Sequence, residues 1–522
     1  MQLLDMRPDH IELVQRILRQ HVPGAEVLAF GSRAKWLARD TSDLDLCIRA
    51  PFALSFEQMG TLREAFEESN LPYMVDLVDW ATTSESFRKI IERDRVVVQK
   101  TPFPQCRLDA VGLAGEWAEV PLGDVITLQR GFDLPSQKRK PGKVPIVSSS
   151  GVSDYNSEVG VKGPGVVTGR YGTIGQVFLI KEDFWPLNTT LWVKNFHGND
   201  PHFASYLLRT IDFRSCSDKS SVPGVNRNDL HRIPVLRPPL AEQKSIALIL
   251  GTLDDKIELN RRMNKTLEAI ARALFKSWFV DFEPVRAKID ARWQSGDSLP
   301  GLPAHLCELF PSRLVDSELG EIPEGWEVKP LDEIAAFING LALQKFSATD
   351  LADSLPVIKI AELRNGVSHK SDRASRDVPE KYIIKDGDFL FSWSGSLLAK
   401  FWTEGEGALN QHLFKVTSEQ YPMWFVSHWV HHHLEEFQSI AASKATTMGH
   451  IQRGHLKSAM TVCPDQDTLK KFDCVMAPLI DEAIHNELES RSLAALRDTL
   501  LPKLVSGELR VIDAARITGA VI

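Results

Sequence analysis

The most regular pattern of apolar and polar positions in the chain lies between Ile246 and Trp278. Apolar side chains recur there at alternating intervals of four and three residues, and Asn260 and Asn264 occupy two of the apolar positions. Such a heptad repeat is typical of a helix that packs lengthwise against another helix. We therefore predict a helix over about 240–279, roughly 60 Å long, whose asparagines fix its register against a partner.

A second helical pattern runs from Thr468 to Val505. Its spacing is less regular, and Pro502 is expected to kink or stop the helix. Four positions repeat the first helix at a constant separation of 227 residues: Asp481, Ile484, Leu501 and Lys503 repeat Asp254, Ile257, Leu274 and Lys276. The two segments are therefore expected to be copies of one element and to pack on each other.

The segments that precede the two helices also repeat each other, in the same order. The paired positions are Trp117 with Trp326, Pro121 and Leu122 with Pro330 and Leu331, Gly131 with Gly340, Leu187 and Asn188 with Leu409 and Asn410, Gly224 with Gly449, and Leu230 with Leu456. The separation rises from 209 to 226 residues along the chain, as insertions in loops produce. Because the period exceeds 200 residues, the pattern indicates a duplicated domain and not a solenoid of short repeats.

The copies set the expected domain boundaries. Both are rich in Gly, Pro, Ser and β-branched residues in short alternating runs, which is typical of strands joined by turns. We call 116–238 the first repeat domain and 325–464 the second repeat domain. The remaining segments are an N-terminal unit at 1–100, a linker at 101–115, the first long helix at 239–282, a Pro- and Gly-rich linker at 283–324, and the second long helix with a C-terminal segment at 465–511.

Composition and charge limit the functional classes. The 522 residues are 43% hydrophobic and 25% charged, which is ordinary for a globular protein with sizeable cores. The formal net charge of −8 excludes a global positive field, so any contact with a polyanion must come from local patches. The six cysteines are scattered without a Cys-x-x-Cys pair, and no stretch reaches the 18 apolar residues of a membrane span. Together with an N-terminus that lacks an apolar signal region, these features predict a cytoplasmic protein.

The N-terminal unit has a pattern of its own. Residues 26–50 predict a strand, a Gly-Ser turn, a short helix and another strand, and 74–80 predict a further strand. Asp43 and Asp45 are two positions apart, so a strand would direct both carboxylates to one face, and Asp76 lies on a neighbouring strand. Carboxylate oxygens suit magnesium, and the turn can offer N–H groups to a phosphate. These features predict in-line attack on a nucleoside triphosphate.

This order, Gly-Ser, then Asp-x-Asp, then a distant Asp, resembles the minimal nucleotidyltransferase family over about 100 residues. The resemblance implies catalytic and metal-binding roles for Asp43, Asp45 and Asp76 and nucleotide-binding roles for Gly31 and Ser32, with Mg and a nucleoside triphosphate as ligands. The family often has glycine where Trp36 stands, and this tryptophan would narrow the nucleotide pocket or cap the loop. The alternative is a retained α/β fold with an inactive or regulatory site.

The repeat domains and helices resemble a second family, the type I restriction-modification specificity subunits, over about 116–511. Beside the Trp-x-x-x-Pro-Leu opening, the strings that carry the resemblance are GRYGTIG at 169–175, PLNTTLWV at 186–193, RPPLAEQKSIALIL at 237–250, ALFKSWFVDFEP at 273–284, SELGEIPEGW at 317–326 and LLPKLVSGEL at 500–509. Each string alone is weak, but their combination and order are specific.

This second resemblance implies a multidomain α/β and α+β protein. A nucleotidyltransferase-like α/β domain would precede two mostly-β target-recognition domains, separated by two long antiparallel coiled-coil helices that set the spacing of a bipartite, asymmetric double-stranded DNA site. The specificity portion would be non-catalytic and need no cofactor. Partner methyltransferase (modification) subunits would bring S-adenosylmethionine, and partner restriction subunits would bring ATP and Mg. The alternative function is a metal-dependent nucleotidyltransferase that modifies a protein or nucleic acid and is targeted by its DNA-binding halves.

Candidate DNA contacts are basic or amide side chains near loops. In the first repeat domain they are Lys138, Arg139, Lys140, Lys143, Arg170, Tyr171, Lys219 and Arg227. In the second they are Lys359, Arg364, Lys370, Arg373, Lys444, Gln452 and Arg453. Lysine mainly neutralises phosphates, whereas arginine and glutamine can contact guanine and adenine edges. A solvated surface charge is the competing interpretation of each residue, so the clusters carry the prediction.

Other motifs favour a non-catalytic role for the duplicated part. The sequence lacks a Gly-x-x-x-x-Gly-Lys-Ser/Thr phosphate loop, so it contains no translocase motor of that type. His428 and the run His431, His432 and His433 have a spacing that could place imidazoles on one helix face as metal ligands. A His-rich helix surface without metal is the more common arrangement, and we prefer it here.

Overall fold

The structure is a computed structural model, and it describes residues 4–22, 25–36, 38–39, 42–49, 54, 56–80, 83, 85–99, 116–213, 215–216, 224–348, 350, 352–443 and 449–511. These residues group into two compact units, divided between Thr252 and Leu253 and again between Arg497 and Asp498. The expected linker at 101–115 lies outside the described residues. No helix in the described part of the chain is long and apolar enough to cross a membrane.

The N-terminal unit is a four-stranded sheet with helices. Its elements are α1 (Pro8–His21), β1 (Glu26–Phe30), α2 (Gly31–Ala34), β2 (Leu44–Arg49), α3 (Phe56–Glu67), β3 (Val75–Asp79), α4 (Glu85–Asp94) and β4 (Val96–Gln99). The strand order is β3-β2-β1-β4, and β2 and β3 run parallel while the other neighbours are antiparallel. Apolar residues of α1 and α3 pack on the sheet, including the fully buried Leu18 and Leu62, so the predicted α/β fold is confirmed.

The first repeat domain is mostly β, as predicted. Its strands are β5 (Ala118–Pro121), β6 (Thr127–Arg130), β7 (Val144–Ser148), β8 (Gly151–Asn156), β9 (Gly165–Gly169), β10 (Val177–Ile180), β11 (Trp185–Pro186), β12 (Thr190–Asn195) and β13 (Pro234–Arg237). Its helices are α5 (Leu122–Val125), α6 (Pro201–Arg209) and α7 (Arg227–His231), with a 3-10 turn at Ser136–Lys138. The main sheet has the order β10-β9-β12-β6, and β5 pairs with β13 to close the domain.

The region between the repeat domains contains the first long helix and a folded connection. Its elements are α8 (Leu240–Phe275), a π-helical turn (Lys276–Val280), α9 (Glu283–Ile289), α10 (Ala304–Cys307), β14 (Leu314–Ser317) and β15 (Gly320–Pro323). The sequence predicts a linker at 283–324, but the structure shows Val285, Leu306 and Phe310 buried in one core with Trp278 and Trp326. Proline and glycine here form tight turns between short packed elements and do not mark an extended tether.

The second repeat domain has the same main-sheet topology as the first. Its strands are β16 (Glu327–Pro330), β17 (Ala336–Asn339), β18 (Ser354–Ile358), β19 (Arg373–Ser375), β20 (Ile383–Ile384), β21 (Phe389–Ser392), β22 (Ala399–Phe401), β23 (Gly407–Leu409), β24 (Leu413–Thr417) and β25 (Met460–Cys463). Its helices are α11 (Leu331–Ile334), α12 (Ile360–Asn365), α13 (Met423–Ser443) and α14 (Arg453–Ser458), with 3-10 turns at Leu343–Phe346 and Glu380–Tyr382. The order β17-β24-β21-β22 matches β6-β12-β9-β10, and β16 pairs with β25 as β5 pairs with β13.

Two glycines show why the repeated residues are paired. A Cβ atom on Gly131 would lie 2.2 Å from the carbonyl oxygen of Leu187, and a Cβ on Gly340 would lie 2.2 Å from that of Asn410. In each copy the glycine therefore lets its own backbone segment pass directly over the segment that carries this carbonyl group. This contact explains why Gly131 and Gly340, and the segments opposite them, occur at matching positions of the duplication.

A third glycine pair differs from the sequence prediction by one position. Gly224 forms a β-bridge with Tyr171, and the corresponding bridge in the second copy joins Ser394 to His450, not to Gly449. A Cβ on Gly449 would instead lie 2.2 Å from the carbonyl oxygen of Ala441. The pairing of Gly224 with Gly449 is therefore wrong, because the two glycines relieve different close contacts.

The second long helix, α15 (Gln466–Val505), packs antiparallel to α8. The asparagines predicted at the seam are buried: Asn260 donates to the carbonyl oxygen of Asn486 over 3.3 Å, and Asn264 donates to that of Ala483 over 2.9 Å. The predicted helix pair and its polar layer are thus confirmed. Pro502 does not stop α15, which continues to Val505.

Candidate functional site

The acidic residues of the N-terminal unit meet at neighbouring strands. The parallel pairing of β2 and β3 places Asp45 directly opposite Asp76, and Asp43 immediately precedes β2. Asp45 is half-buried, whereas Asp43 and Asp76 are exposed. Burial raises the pKa of the Asp45 carboxyl, and the negative charges of Asp76 and Asp43 raise it further. A cation at this position would relieve the repulsion among the three carboxylates.

Gly31 lies against this acidic group. Its φ of +74° is in the left-handed region, and a Cβ built on it would lie 2.1 Å from Oδ2 of Asp45. Only glycine tolerates both conditions. Ser32 follows in α2 and is half-buried. The structure therefore brings Gly31 to Asp45, as the motif predicts, while the roles of Gly31 and Ser32 in nucleotide binding stay a prediction.

A groove of about 670 Å³ opens beside the acidic residues. Asp45 and Asp76 line it together with Phe30, Phe87 and Arg63. The sequence analysis does not identify Arg63, because it belongs to α3 and reaches the groove only through the packing of that helix. An arginine beside carboxylates gives the groove a positive group that could pair with a phosphate.

The loop between β1 and β2 is held by a buried arginine. Arg33 is 5% exposed, donates twice to the carbonyl oxygen of Ser42, and lies with its guanidinium carbon 3.7 Å from the centre of the Tyr73 ring. Trp36 has a positive φ of 58° and is 56% exposed, so it fills a left-handed position that glycine usually takes. Trp36 is not among the residues that line the groove.

The carboxylates at the groove have the donor chemistry of a magnesium site. In the part of the chain that the structure describes, no three His, Cys, Asp or Glu side chains converge closely enough to hold one ion. Asp45 and Asp76 offer carboxylate oxygens to the groove, which is the donor type that magnesium prefers, and magnesium usually retains several waters beside one or two carboxylates. The residue types therefore fit a hydrated magnesium ion.

In the first repeat domain, the turn that contains Arg170 and Tyr171 is fixed by its backbone. Their amide groups both donate to the carbonyl oxygen of Thr189, and Val225 donates to that of Arg170. The Arg170 guanidinium lies 4.6 Å from the centre of the Tyr171 ring, which is 36% exposed. The turn therefore presents a stacked cation and ring on a rigid support.

The basic cluster of this domain divides into paired and unpaired side chains. Arg139 forms an ion pair with Asp154 at 2.8 Å, and Lys140 forms one with Glu158 at 2.7 Å. Lys138, Lys143 and Arg227 are exposed and have no ion-pair partner among the described residues. Lys219 lies outside the described residues. The sequence could not separate these two groups, because Asp154 and Glu158 approach only through the β7–β8 hairpin.

The candidates in the second repeat domain divide in the same way. Lys359 forms an ion pair with Asp372 at 2.5 Å, and Arg373 donates to the hydroxyl and carbonyl oxygens of Ser354. Arg364, Lys370 and Arg453 have exposed side chains and no ion-pair partner among the described residues, whereas the exposed Gln452 accepts through its side chain from the backbone amide of His455 and so caps α14. Lys444 is not among the residues that the structure describes.

The histidines of α13 contribute to packing. His428 stacks on Phe275 with ring centres 5.0 Å apart, and Nδ1 of His428 is 2.6 Å from the carbonyl oxygen of Trp424. Nε2 of His431 is 3.0 Å from the carbonyl oxygen of Ala399. Burial lowers the pKa of both rings, that of His428 to about 4. Their ring nitrogens contact backbone carbonyls, so this helix face shows no arrangement of imidazoles around a common point.

Comparisons with known proteins match both parts of the chain. The model of the type I restriction modification DNA specificity domain matches residues 114–269 and 323–466, and that of the polymerase beta nucleotidyltransferase matches residues 12–102. The type I restriction enzyme MjaIX specificity subunit of Methanocaldococcus jannaschii is 27% identical over 386 residues, which cover 70% of this chain and 82% of that protein.

Two further relatives cover different parts. The probable protein adenylyltransferase MntA of Haemophilus influenzae is 50% identical over 97 residues, which cover 19% of this chain and 85% of that protein. The crystal structure of a type I restriction-modification S subunit from M. genitalium covers 75% of this chain and 96% of its own, with 14% identity and a TM-score of 0.45. The family model of the specificity domain spans more than half of the chain and matches both repeat domains. The chain therefore belongs to the type I restriction-modification specificity subunits, is a DNA-binding specificity subunit, and carries a domain of the nucleotidyltransferase family within its first 102 residues.

Proposed function

We propose that the protein recognises a bipartite, asymmetric DNA sequence, with one repeat domain reading each half. The observation that carries this proposal is that the two domains share one topology but present different side chains at matching positions. Two different readers held by one chain bind a split site with a high effective concentration at the second half, provided that the spacing of the halves fits. The target sequence is therefore expected to lack a palindrome.

The unpaired basic side chains support phosphate contacts in both domains. These are Lys138, Lys143 and Arg227 in the first domain and Arg364, Lys370 and Arg453 in the second. Each could neutralise a phosphate without first breaking an internal ion pair. Arg139, Lys140, Lys359 and Arg373 already have protein partners, so we assign them to the shape of the recognition loops.

Partner subunits would supply the chemistry on DNA. Type I specificity subunits assemble with methyltransferase and restriction subunits, and we propose the same for this chain. S-adenosylmethionine would then be bound by the methyltransferase subunits, and ATP and magnesium by the restriction subunits. The specificity portion itself would bind DNA without a cofactor, and the antiparallel pair of α8 and α15 would set the distance between the half-sites.

A survey of methylated sites tests this function. DNA from cells that express the chain with its partner subunits is sequenced for methylated bases, and cells without the chain provide the control. Methylation at one split, non-palindromic sequence is the expected result. Methylation that is absent, or that occurs at a continuous site, would contradict the proposal.

For the N-terminal domain we propose a second activity, the transfer of a nucleotide from a nucleoside triphosphate. The observation that favours it is the contact of Gly31 with Asp45 beside a groove that Asp76 also lines. Asp43, Asp45 and Asp76 would hold hydrated magnesium, directly or through its bound waters, and the backbone of Gly31 and Ser32 would bind a phosphate. Bound magnesium would stabilise the attacking and leaving oxygens. This activity concerns 19% of the chain, so it does not replace DNA recognition as the main function.

Labelled ATP tests this second activity directly. The purified chain is incubated with labelled ATP and magnesium, and the transfer of label to protein or nucleic acid is measured. Wild type is expected to transfer label, and the double substitution Asp43→Ala with Asp45→Ala is expected to abolish transfer. An equally labelled product from both proteins would place the activity elsewhere, and no product from wild type with any acceptor would favour an inactive or regulatory site.

A further inference from the structure

A short backbone junction is built in the same way in both repeat domains. In the first domain, Tyr171 forms a β-bridge with Gly224, and the amide of Val225 donates to the carbonyl oxygen of Arg170. In the second domain, Ser394 forms a β-bridge with His450, and the amide of Ile451 donates to the carbonyl oxygen of Trp393. Trp393 thus occupies the position of Arg170, Ser394 that of Tyr171, and His450 that of Gly224.

The two junctions exchange the position of their aromatic ring. In the first domain a Cβ on Gly224 would lie 2.3 Å from the Tyr171 ring, so the ring requires a residue without a side chain opposite it. In the second domain Ser394 is small, and the bridge partner His450 carries the ring. The ring of the bridged pair therefore comes from opposite sides of the bridge in the two domains, and the second junction also contains the ring of Trp393 at the position of Arg170. A ligand bound there meets the same backbone and a different set of side chains.

The side chains around the second junction are aromatic and polar. Nε1 of Trp393 donates to Oδ1 of Asn339 over 2.9 Å and to the carbonyl oxygen of Gln411 over 3.1 Å. The centre of the Trp393 ring lies 5.7 Å from that of His412 and 6.3 Å from that of His450. Indole, amide and imidazole groups are thus gathered at the ends of β17 and β21.

Gln411 and His412 are held in place but still partly accessible. Nδ1 of His412 is 3.0 Å from Oγ of Ser394, and Nε2 of His412 is 3.3 Å from Nε2 of Gln411. Both residues are of intermediate exposure, and Asn339 is exposed. They directly follow Asn410, whose carbonyl oxygen passes over Gly340, so the close backbone crossing fixes their position. Rigid support of a partly exposed polar group is what selective hydrogen bonding requires.

The chemistry of this group suits the edges of bases more than phosphates. Glutamine and asparagine can form two hydrogen bonds with adenine, and imidazole nitrogens can donate or accept toward a base edge. Two basic candidates of the same domain are engaged by other residues: Lys359 is paired with Asp372, and Arg373 is bonded to Ser354. Arg453 follows His450 by three residues and could neutralise a phosphate beside the groups that select a base.

We propose that Asn339, Trp393, Gln411, His412 and His450 form the base-reading site of the second repeat domain, in which Gln411 and His412 exchange their mutual contact of 3.3 Å for hydrogen bonds to base edges in the second half-site. Arg170 and Tyr171 occupy the equivalent place in the first domain. This inference rests on the proposed recognition of two half-sites, and it explains their asymmetry: a cation stacked on a phenol ring faces one half, and amide and imidazole groups face the other.

A panel of altered targets tests the proposal. The full chain is combined with its partner subunits, and methylation rates are measured on the wild-type target and on targets in which each base pair of either half-site is replaced. Gln411→Ala and His412→Ala are each expected to reduce the discrimination at one base pair of the second half-site by about 10- to 100-fold. Discrimination in the first half-site is expected to stay unchanged.

Matched variants separate recognition from folding. Gln420→Ala removes an exposed glutamine nine positions away and should leave every preference intact. His412→Asn keeps a hydrogen-bonding group near Ser394 and should alter the preferred base without loss of thermal stability. Equal slowing on all targets, or unchanged discrimination, would overturn the proposed site and leave the split target intact. A wild-type chain that directs no methylation to a split site would overturn the proposed function itself, and the inference with it.

Discussion

Asn486 donates from its side-chain amide to the side-chain oxygen of Asn264 over 3.0 Å, although the two residues are 222 positions apart in sequence. Both are almost fully buried between α8 and α15. Lys256 and Glu489 form an ion pair beside the layer, and Asp254 and Arg497 form another. Because a shifted register would leave buried amides without partners, the layer selects a single alignment of the helices.

Replacement of Asn264 and Asn486 by apolar residues is expected to reduce the selectivity for spacer length without loss of stability. Asn486→Leu alone leaves Asn264 without that partner and should lower the free energy of unfolding by about 1–3 kcal/mol. The double substitution Asn264→Leu with Asn486→Leu removes both polar groups, so stability should recover to the wild-type value or above. Methylation of targets with different spacers should then become less selective. The same spacer preference in the double variant, with Lys265→Leu as a surface control, would show that the layer does not select the register.

Lengthening the helix pair is expected to change the preferred spacer. Four residues are inserted after Leu267 in α8 and four after Ile480 in α15, which leaves the asparagine layer intact. The distance from that layer to the second repeat domain should grow by about 6 Å, which corresponds to roughly two base pairs of DNA. Methylation of a series of targets would locate the new optimum. An insertion in α8 alone is the control, since it shifts the seam and should abolish activity.

The helix pair could be predicted from the sequence because its pattern is local. Apolar residues from Ile246 to Trp278 follow a seven-residue repeat, so the sequence of this helix alone shows which of its faces is buried. The candidate DNA contacts were less predictable, because the pairing of Arg139 with Asp154 depends on a hairpin. Gln411 and His412 were missed altogether, since neither is basic and only the fold brings them to Trp393.

In the N-terminal domain the sequence motif predicted the meeting of Asp45 and Asp76, since neighbouring parallel strands place equivalent positions side by side. Arg63 reaches the groove from α3, and Arg33 holds the loop by bonds to Ser42, yet no local pattern marks either residue. The segment at 283–324 was predicted as a linker because its turns are frequent. Its buried residues are too far apart in sequence to show a period.

Gly31 is expected to tolerate no side chain. Gly31→Ala would place a methyl group 2.1 Å from Oδ2 of Asp45 at a φ of +74°, so both the strain and the contact destabilise the domain, by more than about 1 kcal/mol. The midpoint temperature of thermal unfolding and the rate of nucleotide transfer should both decrease. Gly60→Ala is the matched control, because nothing lies within 4 Å of its Cβ and alanine favours helix α3. Equal stability of the two variants would refute the proposed contact. Both variants should direct methylation to the wild-type DNA sequence, because neither substitution lies in a repeat domain.

Among Lys138, Arg139 and Lys140, the unpaired Lys138 is expected to contribute most to the salt dependence of DNA binding. Neutralising Lys138, Arg139 and Lys140 together should weaken binding at one half-site only. Among the single substitutions, Lys138→Gln should make the negative slope of log affinity against log salt shallower by about 0.9, as the loss of one phosphate contact does. Lys140→Gln should change the slope less, since Lys140 is paired with Glu158. Affinity is measured between 50 and 200 mM salt on the wild-type target, roughly the range over which such contacts weaken. Equal slopes in wild type and the triple variant would remove the cluster from the interface.

His428 is expected to make the second repeat domain sensitive to acid. The pKa of its ring is lowered from 6.5 to about 4, mainly by burial and also by the nearby His431 and Arg272, while the contact with the Trp424 carbonyl acts in the opposite direction. Between pH 6.5 and 4 the unfolded chain therefore binds a proton that the folded chain does not, so the free energy of unfolding falls as the pH falls. From pH 7 to 5 this residue should contribute a loss of up to about 2 kcal/mol.

Chemical unfolding of His428→Gln, followed by tryptophan fluorescence at pH 7 and pH 5, measures that contribution. The variant should be less stable than wild type at pH 7, because it loses the stacking on Phe275, yet its stability should change less between the two pH values. His369→Gln replaces an exposed histidine of the same domain and should retain the wild-type pH dependence. If His428→Gln and His369→Gln lose equal stability on acidification, the acid sensitivity arises from other groups, and His428 acts only through its packing.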